Sequence, residues 1–209
     1  MKVEIWSDLI CPWCYIGKRR FESALAQFDG KNDVKIVWRS FELDPDADTQ
    51  LSETLVQLLA RKYGVDAAQA AAMNAQVSML AAQEGLVYRL ENARPGNTLD
   101  AHRLTHFAHT QGCDAPMMER LMRGYFSESL AIGERDALIK IADEIGMDMH
   151  DVRAMFDSDA FVAEVRADER RAAQLNIRGV PYFLIDEKIG ISGAQSVATF
   201  AGALERAKK

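Results

Sequence analysis

The chain has 209 residues, of which 48% are apolar and 27% charged, and it carries a formal net charge of −6. That composition is ordinary for a globular protein and long enough for one large domain or two small ones, while the acidic balance argues against nucleic acid or an anionic membrane surface as the main partner. No stretch reaches the roughly 18 consecutive apolar residues of a membrane span, Met1-Lys2 leads straight into a strand-like run without the regions of a signal peptide, and three cysteines are too few to staple a chain of this size. The expected setting is therefore the cytoplasm.

Residues 3–7, Val-Glu-Ile-Trp-Ser, read as a short buried strand that stops at Asp8. Cys11-Pro12-Trp13-Cys14 follows, and from Tyr15 onward Phe21, Leu25 and Phe28 recur at helical spacing, with Pro12 where a first helical turn tolerates a missing N–H. This puts Cys11 near a helix N-cap and Cys14 one turn in. A thiol attacks as its thiolate, and the unpaired N–H groups and dipole of a helix start favour that form. Two intervening residues let Cys14 reach back and displace a partner bound to Cys11. Asp8 either bears on the charge of Cys11 or caps the loop, the capping role being the simpler.

Two other readings of the pair stay open on the residues alone: half of a zinc site, or two inert buried cysteines. Structural zinc calls for about four ligands, usually as two spaced pairs. The remaining candidates are Cys113, His102, His106, His109 and His150, and Cys113 has no partner at C-x-x-C spacing. A C-x-x-C beside a strand–helix pattern reads first as a redox pair, so no metal is expected.

Residues 30–33 form a turn and residues 34–41 alternate as a second strand, broken by Asp44-Pro45-Asp46-Ala47-Asp48. Strand, helix, strand predicts a crossover with a parallel pair. No strand is evident from Leu51 to about Asn176. Helices are predicted over 52–63, stopped by Gly64; 67–84, stopped by Gly85; 98–111, opening on Thr98 as its cap; 115–130, with Pro116 in its first turn; 134–145; and 159–175. Met73, Met79, Met117, Met118 and Met122 fit either a pliable peptide groove or gap-filling core, the second being the simpler reading.

Sheet character returns with Gly179-Val180-Pro181, a strand over 182–185, the turn Asp186-Glu187 and a strand over 188–192, a hairpin by its spacing. Pro181 cannot donate to a ladder and belongs at a strand's first residue or in a turn. Gly193-Ala194-Gln195-Ser196 then leads into a last helix. The order predicts an α/β protein of thioredoxin-like layout with a large inserted all-helical domain or lid, residues 1–50 and 177–209 forming one domain and 51–176 the insertion.

The stretches Ser7-Asp8-Leu9-Ile10-Cys11-Pro12-Trp13-Cys14-Tyr15-Ile16-Gly17, Asn97-Thr98-Leu99-Asp100-Ala101-His102-Arg103, Gly179-Val180-Pro181-Tyr182-Phe183 and Ser192-Gly193-Ala194-Gln195 resemble the motifs of the DsbA-like thiol-disulfide oxidoreductases. The nearest branch is the FrnE-type group, related to 2-hydroxychromene-2-carboxylate isomerases and kappa-class glutathione transferases. The resemblance implies a thioredoxin fold interrupted by a helical domain, a cis bond before Pro181, Cys11 as the attacking thiol and Cys14 as the resolving one. It implies that Pro12, Trp13, Val180 and Pro181 contact the substrate. Asn97 would hydrogen-bond substrate or glutathione and His102 would stabilise the thiolate, although a packed histidine is the plainer reading of His102.

The implied partner is a protein or small molecule bearing a disulfide or dithiol. No cofactor is required, glutathione is the candidate co-substrate, and a monomer and a homodimer are both compatible. The isomerase and transferase branches carry serine where this chain has Cys11, so the two cysteines favour dithiol exchange. Some FrnE-type proteins carry a second cysteine pair toward the C-terminus, which this chain lacks. One rival is a glutathione-dependent isomerase or transferase acting on a small aromatic or polyketide-like molecule, with the helix start at 193–196 holding the glutathione carboxylate. Another is a chaperone or peptide-binding module using the Met-bearing helices.

Overall fold

The computed structural model describes residues 1–49 and 53–208. The expected domain start at Leu51 and helix start at Ser52 lie outside the described residues, as does Lys209. Four strands, β1 (Lys2–Ser7), β2 (Lys35–Ser40), β3 (Tyr182–Ile185) and β4 (Ile189–Ser192), form a mixed sheet in the order β2-β1-β3-β4. β1 runs parallel to β2, with Ile5 opposite Trp38, and antiparallel to β3, with Ile5 opposite Phe183. β3 and β4 are an antiparallel hairpin. Its turn residues Asp186 and Glu187 both take left-handed φ, 46° and 58°, the combination whose twist suits a two-residue hairpin turn. Asp186 also accepts the Lys2 N–H at 2.6 Å.

Alternation along β1 sends its side chains to two different layers. Val3 and Ile5 join Phe21, Phe28, Phe183, Ile185, Phe200 and Leu204 in a core built with α1 (Pro12–Ala26) and α9 (Val197–Ala207). Phe183 sits 5.4 Å from Phe21 and 4.6 Å from Phe200 between ring centroids, within the range in which aromatic pairs add to simple burial. On the other face Trp6 packs with Ala172, Ile177 and Leu184.

That second face also buries charge beneath α8 (Val162–Gln174). Glu4, 1% exposed, meets Arg39 at 2.6 Å, Arg171 at 2.9 Å and Lys2 at 3.1 Å. The Asp168 carboxylate accepts from Arg39 at 2.8 Å and from the Ser40 N–H at 3.0 Å, and its carbonyl takes the Trp6 indole N–H at 3.1 Å. A carboxylate this deeply buried is tolerated because several donors surround it.

Two compact units result, Met1–Leu43 with Arg166–Lys209, and Asp44–Val165. This division differs from the expected insertion over 51–176 for physical reasons at both ends. Asp168 and Arg171 tie the later part of α8 to β1 and β2. Residues 44–49 belong with the helices because Asn97 holds them, its N–H reaching Asp48 O at 2.9 Å and its Nδ2 reaching Pro45 O at 3.0 Å.

The second unit contains α2 (Leu55–Tyr63), α3 (Ala67–Gln83), α4 (Leu99–Thr110), α5 (Asp114–Glu128), α6 (Arg135–Glu144) and α7 (Met149–Phe156). Thr54 and Asp66 close capping boxes with Gln57 and Gln69, and Gly64 ends α2 in the left-handed region. Two expectations need correcting. Thr98 occupies the N-cap of α4 without a side-chain cap bond, and Asn97 Oδ1 accepts the Leu99 N–H at 2.9 Å instead. Helix α7 was not expected; its signal is Asp148, whose side chain accepts the N–H groups of His150 and Asp151.

The methionines divide. Met117, Met118 and Met122 are buried with Leu104, Leu121 and Phe126, whereas Met73 and Met79 are exposed. Arg103, 3% exposed, donates to the carbonyls of Ala160, Met155 and Ser158 and to Asp100, fixing α4 to the chain after α7. Among the described residues no helix is long and apolar enough to cross a membrane.

Candidate active site

Cys11 is the N-cap of α1, in extended backbone with φ −83° and ψ 113°, and it makes no side-chain cap bond. Its sulfur is therefore not spent on the helix start. The loop before it is pinned at both ends: the Cys11 N–H reaches Asp8 O at 3.2 Å, and Asp8 Oδ2 accepts the Leu43 N–H at 2.7 Å, just past β2. Asp8 thus anchors the loop. One turn on, the Cys14 N–H reaches Cys11 O at 3.0 Å.

Both thiols are free, and they lie near enough for the Cys11 sulfur to bear on the ionisation of Cys14. Cys11 is 5% exposed and Cys14 2%, so the second sulfur is the inner one. Burial pushes the Cys14 thiol well above its usual range and the neighbouring Cys11 sulfur adds to this, while the Ser7 hydroxyl and the Asp8 backbone act the other way. Trp13, between the cysteines, is 42% exposed, an unusual position for an indole and one that presents an apolar surface beside the pair.

The Val180–Pro181 bond is cis, and the Cys11 thiol donates to Val180 O at 3.5 Å. The proline loop is held from behind. Pro181 O accepts the Gly193 N–H at 2.8 Å, and Arg20 Nη1 donates to Ala194 O at 2.7 Å, linking α1 to the segment before α9. Gly17 lets these parts meet: a Cβ there would lie 2.9 Å from Pro181 Cγ and 3.5 Å from Ala194. A glycine inside a helix costs about 1 kcal/mol relative to alanine, and here the close approach of the proline ring accounts for it.

Of the residues singled out in the sequence, Cys11, Pro12, Trp13, Cys14, Val180 and Pro181 come together in the first unit. Asn97 and His102 belong to the second. The Asn97 amide already holds Pro45 O and the Leu99 N–H, and His102 is 2% exposed within α4. Cys113 is half-buried before α5, where its thiol donates to Ala108 O at 3.5 Å; burial and the charge of Asp114 push that thiol up. Gly17 and Arg20 help build the site but were not named as site residues. Only Gly17 left a sequence signal, as a glycine within a helical run. Among the described residues no three His, Cys, Asp or Glu side chains converge in a way that would hold a metal ion.

A family model described as "DSBA-like thioredoxin domain" matches residues 2–205. The chain is similar to a probable DsbA oxidoreductase from Streptomyces coelicolor, at 42% identity and a TM-score of 0.95, covering 100% of this chain and 90% of that one. At the level of fold alone it is similar to a 2-hydroxychromene-2-carboxylate isomerase (13% identity, TM-score 0.72, 99% of this chain and 95% of that one). The same holds for the cytosolic disulfide reductase DsbM from Pseudomonas aeruginosa (18% identity, TM-score 0.68, 99% of this chain and 98% of that one).

Proposed function

The chain belongs to the DSBA-like thioredoxin domain family, and we propose that within it this protein is a thiol-disulfide oxidoreductase that exchanges disulfides through Cys11 and Cys14. One observation carries the reading: a free thiol at a helix N-cap, 3.5 Å from Val180 O beside a cis proline, has a second free and more deeply buried thiol one turn along the same helix. The Cys11 thiolate attacks one sulfur of a substrate disulfide, forming a mixed disulfide and releasing the other sulfur as a thiolate that takes a proton. Cys14, losing its proton, then attacks Cys11 Sγ, closes the internal disulfide and frees the second substrate thiol. Two electrons pass from the protein dithiol to the substrate. Run backwards, the same steps oxidise a substrate dithiol.

Val180, Pro181, Pro12 and Trp13 are the proposed substrate contacts, with the exposed Trp13 indole offering apolar area to a disulfide-bearing peptide or small molecule. We assign no substrate role to Asn97, whose amide is engaged. A cytoplasmic setting is proposed, with glutathione as the thiol that resets the pair.

The test is Cys14→Ser. Mixed with a disulfide substrate, this variant should accumulate a covalent adduct on Cys11, visible by mass spectrometry as the added mass of one substrate half, and steady turnover should fall to background. A glutathione-dependent isomerase, in which Cys11 merely borders the glutathione sulfur, would instead keep full turnover without Cys14. Such a result would overturn the dithiol mechanism.

A further inference from the structure

The segment between α8 and β3 carries an arginine that the fold does not use. Residues 177–181 are clamped at both ends. Ile177 is buried with Trp6, Ala172 and Leu184 and donates its N–H to Ala172 O at 2.9 Å, and Pro181 O accepts the Gly193 N–H at 2.8 Å. Between the clamps Arg178 is exposed and, among the described residues, makes no hydrogen bond or ion pair. Arg19, Arg39, Arg166 and Arg171 of the same unit are each paired with a carboxylate. Arg170 and Arg206 also lack a partner among the described residues, but they sit on α8 and α9, whereas Arg178 stands two residues before the Val180 carbonyl that accepts from the Cys11 thiol. Gly179 separates the two. A Cβ there would meet no atom within 4 Å and its φ is not left-handed, so neither packing nor backbone conformation calls for glycine; the missing side chain leaves the backbone open to close approach. The N–H groups of Arg178, Gly179 and Val180 donate to nothing among the described residues. The stretch is a fixed, unobstructed ledge beside Cys11 that bears a single charge.

We propose that Arg178 is a specificity residue of the exchange reaction, its guanidinium donating to a carboxylate carried close to the reacting sulfur of the substrate disulfide. This rests on the dithiol mechanism above. A guanidinium suits a carboxylate because its planar fork forms paired, charge-assisted hydrogen bonds with it. Two residues of chain span at most about 7 Å. Groups a few bonds from a sulfur attacked by Cys11 beside Val180 O therefore fall within reach of a side chain built on a flexible stem. The charge of the whole chain sharpens the selection: at −6 it repels anions at long range, and a lone cation at the site reverses that locally. The substrate class is a disulfide with a carboxylate next to its sulfur, borne by a small molecule of the glutathione type or by an acidic side chain beside a cysteine in a protein.

The experiment mixes reduced wild type, Arg178→Gln and Arg178→Glu with oxidised glutathione or with uncharged hydroxyethyl disulfide at low ionic strength. Acid quenching, alkylation and mass spectrometry then give the rate at which the Cys11 and Cys14 thiols are lost. With oxidised glutathione the rate should fall about threefold to fivefold in Arg178→Gln, the size of an exposed ion pair, and about tenfold in Arg178→Glu, where attraction gives way to repulsion. With hydroxyethyl disulfide the three proteins should react at the same rate. Disulfide-linked peptides with blocked ends, carrying Glu or Gln beside the cysteine, tell the two sources apart. A wild-type preference for the Glu peptide that Arg178→Gln abolishes assigns the carboxylate to a protein side chain, and a preference confined to glutathione assigns it to the small molecule.

Equal slowing of oxidised glutathione and hydroxyethyl disulfide in Arg178→Gln would overturn the assignment, since the effect would then lie on Cys11 or on the fold. So would equal rates for wild type and both variants with every carboxylate-bearing disulfide. Failure of the wild-type protein to lose its Cys11 and Cys14 thiols to any disulfide would be a separate result, overturning dithiol exchange itself and the role of Arg178 with it.

Discussion

Cys11→Ser is expected to reduce disulfide exchange to the uncatalysed rate, measured as loss of insulin-disulfide reduction in the presence of a thiol reductant. A serine hydroxyl at the same N-cap ionises far too weakly to attack a disulfide near neutral pH, and Cys14 cannot stand in for it. Cys14 is the inner of the two sulfurs and its ionisation is opposed by burial. The expected loss is therefore larger than that of any variant in the surrounding shell. Because Cys11 makes no cap bond, the substitution removes no cap interaction from α1. Thermal unfolding of the variant should stay close to that of wild type, which separates lost chemistry from lost fold. Full activity in Cys11→Ser would exclude Cys11 as the nucleophile.

The largest stability effect is expected at Glu4. Burial alone would raise its carboxyl, but hydrogen bonds from Arg39, Arg171 and Lys2 outweigh burial and hold it below the ordinary glutamate value of 4.5. Glu4→Gln should destabilise the protein by roughly 2–4 kcal/mol at neutral pH. That is under the 3–5 of a fully sealed pair, because the three cations keep access to water. The sign of the pH dependence follows from the lowered value. A carboxyl held down in the folded state contributes its stability above the unfolded value, and that contribution is lost as pH falls through the folded one. Urea unfolding of wild type and Glu4→Gln should thus differ most near neutrality and converge in acid below about 4.5. A difference that stayed constant across that range would mean that the ion pairs contribute nothing specific.

What the sequence revealed and what it hid separate by range. The Cys11-Pro12-Trp13-Cys14 motif, the strands of β1 and β3, the Asp186-Glu187 turn and the stops at Gly64 and Gly85 are written in neighbouring residues, and local pattern sufficed to place them. Helix α7 escaped because eight residues give barely two turns of periodicity. The helical unit ends at Val165, before Arg171, which pairs with Glu4, a residue 167 positions away, and no periodicity can reveal such a pairing. The same limit applies inside the site. That Gly17 admits Pro181 and that Arg20 holds Ala194 are facts of packing, set when β1, α1 and the hairpin come together. Asn97 shows the converse: its place in a family-like motif suggested a ligand contact, yet its amide serves the backbone on both sides.

The most direct test is a redox titration. Protein equilibrated with graded ratios of reduced to oxidised glutathione, then acid-quenched and alkylated, would be analysed by mass spectrometry for each cysteine. Dithiol exchange predicts that Cys11 and Cys14 lose their free thiols together, in one two-electron transition that neither single serine variant reproduces, while Cys113 stays alkylatable. If Cys11 and Cys14 remain free over the whole series, or titrate independently of each other, the pair is not a redox couple.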